Sequence, residues 1–199
     1  MKQIGGNFFD VKLSRKNNRF INENAVFTLN GRIALNLVIE NILKDRNASS
    51  VYFPSYACES MIKPFIDQGV SIDFYDVKID HKNGFYFDIA CNKQCDIIFL
   101  IQYFDNRIDI LSKQFKQKGV IVIEDVTYSL FLRDINESHA DYVFGSLRKW
   151  TGLYSGGFYL KMNKTSEKIK LQKAPENYIF LQKEAKNRDI CFKSWMYYF

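Results

Sequence analysis

Two uninterrupted apolar runs, DIIFLIQ at 96–102 and VIVIED at 120–125, constrain this chain more than any other feature. A strand with one wet face alternates apolar and polar residues, whereas a strand covered on both faces does not. Between the two runs lies RIDILSKQFKQKG, in which Ile108, Leu111 and Phe115 recur at helical spacing. The same rhythm extends in both directions. GRIALNLVIENILKD (31–45) reads as a helix opened by Asn30 and Gly31, with Ile33, Leu35, Leu37, Ile39, Ile42 and Leu43 forming a broad apolar face. SVYF is a short strand stopped by Pro54, and residues 56–68 read as a helix with Met61, Ile62, Phe65 and Ile66 on its apolar side, ended by Gly69. VSIDFYDV, DYVFGS and GGFYLK complete the strands. Such alternation predicts an α/β fold, a mostly parallel sheet sandwiched by helices through right-handed crossovers.

With 199 residues and 47% hydrophobic side chains, one domain spanning 1–199 is the simplest organisation. No run approaches the roughly 20 apolar residues of a membrane span, and MKQIGGNFFD lacks the apolar core of a signal peptide, so a cytoplasmic protein without a membrane partner is expected. Of the four cysteines, Cys91 and Cys95 are the nearest pair, but neither His81 nor His139 adjoins them, so no metal is expected. The net charge of +6 is concentrated at one end: residues 161–199 hold nine Lys/Arg against four Asp/Glu. That stretch reads as a basic, helical tail with a solvated face, and lacks the interleaved aromatics of a nucleic-acid surface.

In open parallel sheets a ligand binds beyond the carboxyl ends of the strands. Polar clusters fall at those ends: Asn30-Gly31-Arg32 at a helix start, PSYAC at 54–58, and Glu124-Asp125 closing VIVIED. A fourth candidate is the opening stretch. Lys149 follows Asp125 by 24 residues and sits between Ser146 and the pair Gly156-Gly157. A helix start suits a phosphate because its amides are unpaired and its dipole is positive. Joined to a carboxylate and an amine, it supplies what pyridoxal 5'-phosphate requires: a phosphate cradle, a partner for the ring nitrogen and a covalent tether.

IGGNFFDVKL (4–13), LNGRIALNLVIENI (29–42), VYFPSYACESMIKPFIDQGVSIDFYDV (51–77), IEDVTYSLF (123–131) and SLRKWTGLYSGG (146–157), in that order, resemble the DegT/StrS-type sugar aminotransferases of fold type I. The resemblance implies the large domain of a pyridoxal phosphate-dependent transferase, without the small C-terminal domain of longer family members. It implies that Lys149 is the catalytic, Schiff-base lysine forming the internal aldimine and shuttling a proton. It implies that Asp125 pairs with the pyridine nitrogen, while Gly31, Arg32 and Ser146 hold the phosphate. Arg148 either adds charge there or is a solvated or interface arginine. Tyr56 and Cys58 match residues that pack on the cofactor face, or else are ordinary core. The implied substrates are a nucleotide sugar of surface-polysaccharide biosynthesis and an amino donor such as glutamate. The implied assembly is a homodimer, or a complex with a missing C-terminal partner, for which the terminal Trp195, Tyr197, Tyr198 and Phe199 provide an apolar surface.

Three positions depart from the family pattern. Tyr128 stands where His or Gln is common near the cofactor hydroxyl, Asp105 stands where glycine is common, and Cys58 stands where an aromatic usually stacks on the ring. These departures keep open a second expectation, a non-catalytic remnant or interaction subunit that retains the fold.

Overall fold

The computed structural model describes residues 24–82, 84–90, 92–103, 108–132, 134–151, 153 and 155–162, with 177, 180, 181 and 184. The opening stretch 4–13, Cys91, Asp105, most of the 161–199 tail and the terminal aromatics lie outside the described residues.

Among the described residues, eight strands form one sheet. They are β1 (Val26–Thr28), β2 (Ser50–Pro54), β3 (Ser71–Asp80), β4 (Gly84–Asp88), β5 (Ile97–Ile101), β6 (Ile121–Asp125), β7 (Tyr142–Ser146) and β8 (Gly157–Lys161). Their order is β1-β8-β7-β6-β5-β2-β3-β4. The central run from β3 through β2, β5 and β6 to β7 is parallel, whereas β4, β8 and β1 pair antiparallel at the two flanks. The sheet is therefore mixed, with its parallel part in the middle. β5 and β6 are buried at every residue, as their unbroken apolar sequences require.

Among the described elements, three α-helices cover the sheet: α1 (Gly31–Asp45), α2 (Glu59–Asp67) and α3 (Asp109–Gln117). α1 and α2 close one core, where Leu35, Val38, Ile39 and Phe65 meet Phe53, Phe99, Ile123 and Phe144. α3 closes the other, where Ile108 and Phe115 meet Ile98, Leu100, Val122 and Val143. Each such fully buried side chain contributes about 1.5–3 kcal/mol relative to exposure. α1 matches its expected bounds, with the Asn30 side chain accepting the Ile33 amide as N-cap, but Ile33, expected on the apolar face, is exposed in the helix's first turn. α2 starts later than residue 56, because Ser55 still donates its amide to the Tyr75 carbonyl and Cys58 is the cap. Its expected apolar side is also narrower, since Ile66 is exposed. No helix among the described residues is long and apolar enough to cross a membrane.

Adjacent residues on a strand face opposite ways, and this separates Glu124 from Asp125. Glu124 is buried toward α3, where the Ser112 hydroxyl donates to one carboxyl oxygen and the Ser138 hydroxyl to the other at 2.8 Å. Asp125 lies on the α1 side, in register with Ile101 of β5 and Phe144 of β7. Strand ends of β2, β5, β6 and β7 thus share one edge of the sheet.

The start of α1 reaches that edge through two close backbone approaches. A Cβ placed on Gly31 would lie 3.3 Å from the Ser146 Cβ. One placed on Gly157 would lie 2.3 Å from the Asn30 carbonyl carbon and 2.5 Å from the Gly31 nitrogen. Backbone cannot yield as a side chain can. Gly157→Ala is therefore expected to lose at least about 3 kcal/mol of stability in urea unfolding. A loss below about 1 kcal/mol would contradict this packing.

Candidate functional site

Thr127, two residues beyond β6, joins the parts of the site. Its amide donates to Asp125 Oδ1 at 2.8 Å, and its hydroxyl bonds the same carboxyl. The hydroxyl oxygen accepts the Ser146 amide at 3.1 Å, and the Thr127 carbonyl accepts the indole N–H of Trp150. Ser146 and Trp150 flank a 3-10 turn, Leu147–Lys149, so Thr127 grips both ends of the turn that carries the lysine. Leu147 donates its amide to the Gly156 carbonyl at 3.0 Å, which fixes the same turn to the glycine pair.

Asp125 is 3% exposed, and burial pushes its carboxyl up to about 6. Hydrogen bonds from Thr127 and the Lys149 charge pull it back. Lys149 is half-buried and within electrostatic reach of Asp125, so the structure brings together the acid and the amine singled out in the sequence. Ser146 and Gly31 join them through the close approach described above. Arg32 and Arg148 are both exposed. The Asn30 side chain accepts the Ile33 amide and so caps α1. Gly156 donates its amide to the Leu29 carbonyl at 2.7 Å, tying the lysine's glycine pair to the approach of α1.

Beside the acid, whose charge acts on Tyr103 and Tyr128, opens a pocket of about 350 Å³. Tyr56, Cys58, Met61, Phe85, Tyr103 and Tyr128 line it. Tyr56 and Cys58 are exposed, which removes the alternative that they are ordinary core, and the Cys58 thiol lies 2.9 Å from the Ser60 hydroxyl. Tyr128 stacks on Tyr103 with centroids 6.3 Å apart, and burial followed by the Asp125 charge raises the pKa of its phenol. Among the described residues no group of three His, Cys, Asp or Glu side chains could hold a metal.

Thr127, Trp150, Tyr103 and Phe85 were not legible as site residues. Thr127 and Trp150 do lie within IEDVTYSLF and SLRKWTGLYSGG, so proximity to the acid and the lysine was the available signal. Phe85 comes from the flanking strand β4, whose GFYFD alternation is a strand signal but carries no mark of chemistry.

No protein-family model and no curated protein matches the chain. Solved structures do. A chain of the SepCysS-SepCysE N-terminal domain complex superimposes with a TM-score of 0.56 at 16% identity, covering 75% of this chain and 46% of that one. The likeness establishes the fold. The cysteine desulfurase of Thermococcus onnurineus NA1 gives a TM-score of 0.55 at 20% identity, over 70% of this chain and 38% of its own. The sugar aminotransferase CalS13 of Micromonospora echinospora gives 0.53 at 16% identity, over 70% of this chain and 42% of its own. The chain thus has the α/β large-domain architecture implied by its sequence and spans less than half the length of these relatives.

The buried acid has a pH signature. Its folded pKa of about 6 exceeds the ordinary 3.8, so between these values the folded state binds the proton more tightly than the unfolded chain. The contribution to stability is full below the unfolded value and is lost as pH rises through 6. Asp125→Asn removes this dependence. Relative to wild type, the variant is expected to gain about 2 kcal/mol in urea unfolding between pH 4 and 7.5. A difference independent of pH would contradict the raised carboxyl.

Proposed function

We propose that this chain is a pyridoxal phosphate-dependent, aminotransferase-like protein of nucleotide-sugar and surface-polysaccharide biosynthesis. The observation that carries the reading is Lys149 held within electrostatic reach of the buried Asp125, with Thr127 bonded to the acid and to both flanks of the lysine's turn. The donor set fits the cofactor. A carboxyl whose pKa burial raises favours a cationic N–H partner, such as a protonated ring nitrogen. The helix start offers bare backbone beside Ser146, where a phosphate gains from amides and dipole. An aromatic wall adjoins the acid, as a flat ring requires.

Within this reading Gly31, Arg32 and Ser146 bind the phosphate, and Asp125 keeps the proton on the ring nitrogen. Lys149 supplies the amine that tethers the cofactor and then moves a proton at the substrate carbon. Tyr128 offers a phenol toward the ring hydroxyl, and Tyr56 with Cys58 covers the ring face. When bound, pyridoxal phosphate supplies an electron-withdrawing ring that stabilises negative charge on the substrate carbon. A solved structure of similar fold described as a sugar aminotransferase supports a sugar substrate; a nucleotide-linked sugar and glutamate as amino donor complete the proposal. A homodimer, or a partner chain supplying the remaining site residues, belongs to the same proposal, as does a cytoplasmic location.

A second reading, a non-catalytic protein that keeps the fold, is favoured by Cys58, whose exposed thiol provides no ring for stacking. Titration with pyridoxal phosphate, borohydride trapping and peptide mapping separate the two. A visible absorption band and a label confined to Lys149 are expected. Lys149→Ala should lose the label, and Asp125→Ala should bind the cofactor at least about tenfold more weakly. Scattered labelling of surface lysines would favour the second reading.

A further inference from the structure

Tyr103 follows β5 and is 4% exposed, although no strand or helix contains it. Its neighbour Gln102 donates its amide to the Asp125 carbonyl at 2.9 Å, so the backbone before Tyr103 is fixed to the acid's own strand. Its hydroxyl crosses the pocket and donates to the carbonyl of Tyr56. The ring is held from several sides. Phe85 stacks on it at 5.2 Å and 20°, Tyr128 at 6.3 Å and 20°, and Phe87 lies tilted at 6.1 Å.

The segment 55–58 receives this hydrogen bond. Its start is anchored to β3, where Ser55 donates its amide to Tyr75 at 2.8 Å and accepts the Val77 amide at 3.3 Å. Its end is anchored to α2, where the Cys58 carbonyl accepts the Met61 amide at 2.9 Å. Between those anchors the chain is exposed at Tyr56, and Tyr103 fastens its carbonyl to the site edge.

We propose that Tyr103 is a positioning residue that holds segment 55–58 at a fixed distance from Asp125 and thereby sets the width of the aromatic pocket. Its geometry is independent of any cofactor, whereas its consequence for binding rests on the pyridoxal phosphate reading. Tyr103→Phe removes the hydroxyl and keeps the stacked ring, so the variant retains the packing that folds the site.

Hydrogen exchange read by mass spectrometry on the cofactor-free protein tests the tether. Tyr103→Phe is expected to speed exchange in a peptide covering 55–60 by about fivefold, while exchange in α1 and β6 stays unchanged and the thermal midpoint falls by no more than about 4 °C. Phe87→Leu, which spares the hydroxyl and removes a ring that lies against Tyr103, should leave that peptide within about twofold of wild type. In a parallel titration, the dissociation constant for pyridoxal phosphate should rise about fivefold in Tyr103→Phe. Unchanged exchange at 55–60, or faster exchange spread evenly over the sheet, would overturn the proposal. Local loosening in a protein that binds no pyridoxal phosphate would uphold the tether and remove the cofactor reading.

Discussion

Thr127 makes the hydrogen bonds on which the site edge depends. A carboxyl buried at a strand end carries a desolvation cost, and Thr127 offsets part of it through its amide and its hydroxyl. The same residue accepts the Ser146 amide and the Trp150 indole, so the bonds that satisfy the acid also place the turn bearing Lys149. Position and charge are thereby linked. If Thr127 lost its grip, the acid would be less well solvated and the lysine's turn less well placed. Hydrogen bonds to a charged group are worth about 1.5–3 kcal/mol each, more than a neutral surface contact.

The surrounding fold makes that edge rigid. Two cores, one under α1 and α2 and one under α3, grip the central parallel strands from both faces. Glu124, tied by Ser112 and Ser138, binds the α3 side to β6 behind the site. At the front, Gly31 and Gly157 allow backbones to meet without intervening side chains, which brings the positive end of α1 beside Ser146. The result is a helix start, an acid and the turn that bears the lysine, held on separate elements but joined by close approaches and hydrogen bonds.

The parts most legible in the sequence were those governed by local periodicity. The unbroken runs of β5 and β6 announced burial on both faces, and the Asn30 cap with its apolar stripe gave α1 its limits. β1, only three residues long, carries too little pattern to stand out, and it exists because it pairs with β8. The reversal of β8 against β7 is likewise a tertiary property, held where the Leu147 amide donates to the Gly156 carbonyl. At the site, Asp125, Ser146 and Lys149 could be singled out by chemistry and order. Tyr103 could not, because its role comes from a hydrogen bond to a carbonyl 47 positions away in sequence and from rings on β4. Ile66 shows the opposite failure: its spacing suggested a core face, but α2 offers only one side to the sheet and Phe65 takes it.

In the proposed function Asp125 is the counter-ion of a protonated ring nitrogen, and the rest of the site is arranged around that pairing. The most direct measurement is the ¹⁵N NMR spectrum of pyridoxal phosphate labelled at that nitrogen and bound to the protein at pH 7.5. The account predicts a pyridinium resonance in the wild type and a neutral pyridine resonance in Asp125→Ala. A neutral nitrogen in the wild type, or the same resonance in both proteins, would contradict it.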